Sequence, residues 1–190
     1  MSRGREQIIG AAIHHLNQHP TASMAQLAEA AGVSRATLHR HFTSREDLVI
    51  ALGRRALERW AEVQEAVGLT EATASADPAR IAATLREMLT GLVDTADEHG
   101  FALTDHAMAV HPELLRRSDE LEEREVAFFE AAQRAGVLRA DQPARWVSNT
   151  VYGLLIAVRE SLRSGDVARR DVPRLLADTF LHGTTPQDTP

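Results

Sequence analysis

The 190-residue chain has no cysteine, no lysine and only eight Phe, Trp or Tyr side chains. Without cysteine, neither a disulfide nor a thiolate metal site can contribute to its chemistry, and the composition suits a reducing compartment. No apolar run approaches the ~20 residues that a membrane-spanning helix requires, and the N-terminus lacks the apolar core of a secretion signal. A soluble, cytoplasmic protein with no membrane partner is therefore expected. Strand signals are also missing: there are no alternating apolar runs, no Asn-Gly or Asp-Gly hairpin turns and no aromatic-rich segments. Apolar residues instead recur at helical spacing almost throughout, which predicts an all-α fold.

Charge is unevenly placed. The net charge of −6 argues against a nucleic-acid binder until the chain is divided. Residues 1–59 hold eight arginines against five acidic residues, a balance of +3, and the remaining residues carry −9. A basic head on an acidic body points to a phosphate-facing N-terminal part and a second part with separate work. All 21 basic residues are arginine, whose fork can hold a phosphate through two hydrogen bonds.

Caps and breakers predict about nine helices. Ile8, Ile9, Ala12, Ile13 and Leu16 form one apolar face of a first helix that Pro20 stops. Ser23 can cap a second helix carrying Met24, Leu27, Ala28 and Ala31; Gly32 suits the left-handed position after it, and Ser34 can cap a third. Ser44 and Asp47 form a capping box that opens a longer helix reaching about Val67. The segment 68–77 is small, polar and aperiodic and reads as a loop. Asp77-Pro78 starts the next helix, followed by a short one over 101–111, a long one to Gly136, one over 143–164 and a last one over 171–182. The domains expected are 1–50, 51–182 and a disordered tail over 183–190.

Helix, glycine turn, helix is the helix-turn-helix pattern, whose second helix enters a DNA major groove. Ala28 permits a close crossing, while Leu27, Val33 and Leu38 fill the space between the helices. The exposed side of the third helix would then present Arg35, Ala36, Thr37, Arg40 and His41. Residues 23–52, "SMAQLAEAAGVSRATLHRHFTSREDLVIAL", resemble the DNA-binding domain of TetR-family transcriptional regulators. The glycine turn, capping serine, His-Phe pair and capping box all fall at that family's mutual spacing. Two positions depart from it: His39 stands where the family has tyrosine, and Arg45 where it has lysine. Imidazole has a shorter reach to a phosphate and is charged only part of the time near neutral pH.

The resemblance implies an N-terminal three-helix DNA-binding domain and a helical regulatory and dimerisation domain. It further implies a homodimer on a pseudo-palindromic double-stranded operator, released by a small, mostly apolar effector. Phosphate contacts would come from Arg3 and Arg5 of an N-terminal arm, and from Ser23, Thr37, His39 and Arg45, with Ser34 a further DNA-binding residue. Base contacts would come from Arg35, Ala36, Arg40 and His41, with Arg40 suited to guanine. Trp60, Met88, Leu92, Phe101, Leu103, His106, Met108, Phe128, Trp146, Asn149 and Tyr152 would line the effector pocket. Gly153, Ala157 and Ser161, spaced four apart, with Leu176 and Phe180 on the last helix, would form the dimer interface. The family's lever would be a shift of the short helix within 101–110, passed to the helix that begins at Ser44.

An enzyme is not expected: no Ser-His-Asp order, HExxH pair, phosphate loop or carboxylate pair stands at a recognisable spacing. Nor is a metal or other cofactor. Among His14, His15, His39 and His41 no two are four residues apart, and a helix break separates His106 from His111. The alternative is a helical adaptor or small-molecule-binding protein that does not bind DNA.

Overall fold

The computed structural model describes residues 3–186, which form ten α-helices and two 3₁₀ turns with no strand among them. The helices are α1 Arg3–Gln18, α2 Met24–Ala30, α3 Arg35–His41, α4 Arg45–Ala66, α5 Leu69–Thr73, α6 Pro78–His99, α7 His106–Val110, α8 Pro112–Arg134, α9 Ala144–Ser164 and α10 Val172–Thr184. They form two compact units, Met1–Glu58 with Glu98–Arg117, and Arg59–Asp97 with Ser118–Pro190.

In the first unit α1 buries Ile8, Ile9, Ala12, Ile13 and Leu16, the stripe expected from their spacing, against Leu27, Leu38, Phe42, Leu48 and Leu52. Phe101 fills the same core, only 3% exposed. Burying such a ring stabilises by roughly 2–3 kcal/mol. The Asn17 side chain fixes its position, accepting the Phe101 N–H at 2.9 Å and donating to the Glu98 carbonyl at 2.8 Å. Residues 98–117 therefore fold with the N-terminal unit, so the units differ from a simple division near residue 50. The expected single helix over 101–111 is a 3₁₀ turn, Gly100–Leu103, followed by the separate α7.

In the second unit α6 buries Ile81, Leu85, Met88, Leu89, Leu92 and Val93 along one face, and Asp77 caps its start by accepting the Ala79 N–H at 2.9 Å. A β-carbon on Gly91 would come 2.8 Å from Val63 Cγ1, so the absence of a side chain there lets α4 and α6 approach closely. The segment expected to be a loop contains α5. Gly68, at φ +63°, turns the chain, and Leu69 and Ala72 are buried on the resulting short helix. Two apolar residues in five are too few to produce a periodic signal. Phe129 packs near Phe180 of α10, with ring centroids 6.3 Å apart. On α9 the buried stripe runs through Val147, Val151, Leu155 and Val158. Helix α10 extends through Gly183 to Thr184, into the segment expected to be disordered; residues 187–190 lie outside the described residues.

Candidate nucleic-acid interface

Local hydrogen bonds set the angle between α2 and α3. Ser23 Oγ accepts the Gln26 N–H while Gln26 Oε1 accepts the Ser23 N–H at 2.9 Å, a reciprocal box that fixes the first turn of α2. At the other end of α2, the Gly32 N–H reaches the Glu29 carbonyl and the Val33 N–H reaches the Ala28 carbonyl, both at 3.0 Å. This double closure needs a left-handed residue, and Gly32 has φ +65°. Two residues later, Ser34 Oγ accepts the Thr37 N–H at 3.1 Å and donates to Thr37 Oγ1 at 3.0 Å, which starts α3. Helix α3 buries only Leu38, and Arg35, Ala36, His39 and Arg40 stand exposed. Those four lie at i, i+1, i+4 and i+5 and form one face, polar but for Ala36.

Three sequence expectations change here. His41 turns away from that face: its Nε2 lies 4.0 Å from where a β-carbon on Gly4 would sit, and it lines a cleft of about 420 Å³ with Arg5, Asp47, Arg54, His111 and Glu113. Arg5, expected in an N-terminal arm, belongs to the first turns of α1, and its guanidinium lies 4.9 Å from the Phe42 ring centroid. Arg3 opens the same helix, but its side chain lies outside the described residues. Arg45 donates to the carbonyls of Pro20 at 3.0 Å and Ala22 at 3.3 Å, which ties α4 to the loop before α2. Those two bonds use two of its five N–H donors.

The start of α4 is firmly capped. Ser44 Oγ accepts the Asp47 N–H at 3.0 Å, and the Thr43 hydroxyl beside Asp47 holds that carboxyl below its usual range. Arg54 of α4 makes two parallel hydrogen bonds to Glu113 of α8, at 2.7 and 2.6 Å. Caps and core together hold α1 to α4 in one head, from which α3 presents its exposed face to solvent.

Residues 8–52 match the family described as bacterial regulatory proteins, tetR family. The HTH-type transcriptional repressor LfrR of Mycolicibacterium smegmatis is 30% identical over 163 residues, covering 86% of this chain and 81% of that repressor. The chain belongs to the TetR family. A second TetR-type relative, the HTH-type transcriptional regulator NfxB of Pseudomonas aeruginosa, is 31% identical over 183 residues, 95% of this chain and 94% of NfxB. Among solved structures, LfrR from Mycobacterium smegmatis in complex with proflavine superposes with a TM-score of 0.72 at 27% identity, covering 97% of this chain and 98% of that one. The ketosteroid regulator KstR2 of Mycobacterium tuberculosis shares the fold at 18% identity, with a TM-score of 0.75 and 98% and 97% coverage. As a member of the TetR family, the protein is a ligand-responsive, DNA-binding transcriptional regulator.

The residues expected to line an effector pocket are divided between the two units. Met88, Leu92 and Phe128 are buried in the second unit, and Trp60 is half-buried there. Phe101 belongs to the core of the head; Leu103, His106 and Met108 are also in the first unit. Trp146 is 61% exposed and Tyr152 49% exposed, and Asn149 is exposed beside them on α9, so these three line no enclosed pocket within the protomer. Gly153 and Ala157 share that exposed face, and Ser161 is half-buried. Leu176 and Phe180, expected at the dimer interface, are 3% and 1% exposed within the protomer's own core, and the exposed side of α10 carries Leu175, Asp178 and Thr179 instead.

The sequence reading passed over Glu125. It is 3% exposed on α8, and its Oε1 accepts Trp60 Nε1–H at 2.5 Å and Gln64 Nε2–H at 3.3 Å. Burial pushes the carboxyl up to about 7, partly opposed by those two donors. The signal was available: Glu125 stands four residues after Leu121 and three before Phe128, on the apolar stripe of α8. The histidine survey weighed His15 but left out His19, four residues on, whose ring centroid lies 4.8 Å from that of His15. Among the described residues no three His, Asp or Glu side chains gather as a metal site requires.

Proposed function

We propose that the protein is a cytoplasmic homodimeric repressor that holds a pseudo-palindromic operator through α3 of each subunit and leaves it when a planar, mostly apolar effector binds the second unit. The observation that carries this reading is the geometry of α2 and α3, in which glycine and two serine caps present Arg35, Ala36, His39 and Arg40 on one exposed face. Arg40 and Arg35 read base edges, while Ser23, Thr37, His39 and the unused donors of Arg45 hold phosphates.

One short helix spans only a few base pairs, so specificity calls for two copies at half-sites about one helical turn apart. The α9 face carrying Trp146, Tyr152, Gly153 and Ala157 supports pairing there, because a monomer gains nothing by leaving two large aromatic side chains in water. The effector class is supported by LfrR, which was crystallised with the three-ring dye proflavine. Release would run through α7 to α4 within the head: a β-carbon on Gly53 would come 2.6 Å from Met108 Sδ, so the two helices are in direct contact.

Retardation of the DNA flanking its own coding region tests the reading. Binding should weaken steeply as salt rises, with one dimer per site, because arginine contacts release counterions. A folded protein that retards none of these fragments at low salt would be the helical adaptor instead.

A further inference from the structure

We propose that Glu125 and Gln64 form the polar end of the effector site in the second unit, and that this site takes a planar aromatic cation bearing N–H donors. The proposal rests on the reading of the protein as an effector-released regulator and names the chemical class of the effector.

The argument is an inventory of donors and acceptors. Gln64 is 2% exposed, and its amide nitrogen serves two acceptors, the Leu121 carbonyl at 2.9 Å and Glu125 Oε1 at 3.3 Å. Both lie on the amide's nitrogen side, which fixes its orientation and leaves Gln64 Oε1 buried without a donor. An acceptor in that state costs about 1–3 kcal/mol. Glu125 has the same deficit in charge. The two groups that reach it, Trp60 and Gln64, are neutral, and both converge on one of its oxygens. Glu122, one turn earlier on α8, adds negative charge and is itself paired with Arg145 at 2.8 Å. Among the described residues Glu125 has no cationic partner.

A buried carboxyl without a counter-charge is expensive, and a leucine or glutamine would serve the packing of α8 better. A ligand that brings both a positive charge and N–H groups meets both deficits, with the charge on Glu125 and a donor on Gln64 Oε1. The indole of Trp60 is half-buried, and its N–H bond to Glu125 holds the ring edge-on to the carboxyl. In the proposed site a delocalised cation stacks on the face of that ring, which attracts such charges. One carboxylate, one amide oxygen and an indole make a poor metal site, so an organic cation is favoured.

The test uses the full-length protein without DNA, with proflavine, a cation at neutral to slightly alkaline pH, and acridine, which has the same three-ring frame without the charge. A Trp146→Phe background leaves Trp60 as the only indole, so its quenching reports on the site. Proflavine should bind at least about tenfold more tightly than acridine and quench Trp60. Glu125→Gln should remove that preference by weakening proflavine alone, leaving acridine within about twofold; Gln64→Leu should weaken proflavine about threefold to tenfold with Glu125 intact. Unchanged proflavine affinity in Glu125→Gln overturns the proposal, as does equal loss of both dyes in a variant that melts no lower than the wild type. Wild-type protein that binds neither dye overturns it too. Operator retardation by the same preparation separates the two readings. DNA binding without charge-selective dye binding sinks this site and leaves the regulator standing, whereas selective dye binding without DNA binding keeps the site and sinks the regulator.

Discussion

At the scale of single residues, Glu125 has the clearest thermodynamic consequence. Its carboxyl is raised from an ordinary 4.5 to about 7 by burial, so the folded state binds its proton more tightly than the unfolded chain does. A group of this kind costs nothing below its unfolded value, and the cost grows as pH rises through the window between the two values and is complete above the upper one. Glu125→Gln should therefore stabilise the protein by on the order of 2–3 kcal/mol near pH 8 and by little near pH 5. Denaturant unfolding at the two pH values checks this, and a gain independent of pH would contradict it. On α3, Arg40→Ala should cost about 1–3 kcal/mol on the best operator and relax preference at one base position. His41→Ala should leave the pattern of base preference unchanged, since His41 faces the cleft. Binding measured across a set of single-base operator variants distinguishes the two.

At the scale of elements, glycines show where backbone freedom and close packing are needed. Gly32 has φ +65° with nothing within 4 Å of an added β-carbon, so Gly32→Ala meets no clash and pays only for the left-handed backbone, roughly 1–2 kcal/mol. The loss should appear in thermal unfolding together with weaker operator binding, because the same residue sets the angle of α3. Gly53 is the opposite case. A helical alanine gains about 1 kcal/mol over glycine, but its β-carbon would lie 2.6 Å from Met108 Sδ and 2.8 Å from Leu114 Cδ1. The methionine can swing aside, but Leu114, 1% exposed, cannot. Gly53→Ala should thus destabilise by about 1 kcal/mol net. Gly10→Ala, which meets nothing within 4 Å on the exposed side of α1, should instead stabilise. The melting points of the two variants should move in opposite directions. The head was legible in the sequence because its caps act over two to four residues: Ser34 on Thr37, Ser44 on Asp47, Gly32 on Glu29. Helix α5 was not, because Leu69 and Ala72 are defined as core only by what covers them.

At the scale of the whole molecule, the proposed dimer rests on the outward face of α9. Ala157 is exposed on α9 beside the face bearing Trp146 and Tyr152, so Ala157→Arg leaves the protomer's own core intact. It should convert a dimer to a monomer in sedimentation at micromolar concentration and weaken operator binding by about a hundredfold or more. A variant that stays dimeric would move the interface elsewhere. No helix among the described residues is long and apolar enough to cross a membrane.

The sequence by itself determined the helical class, the glycine-hinged reading head and the family, because those signals are hydrogen-bonding and spacing rules between near neighbours along the chain. Only the tertiary structure decided that Phe101 belongs to the head, that Leu176 and Phe180 face inward while Trp146 and Tyr152 face out, and that Glu125 is buried without a counter-charge. Burial depends on which distant residues come to cover a side chain. Trp60 and Glu125 stand 65 residues apart, and no periodicity in either helix records that the other is there.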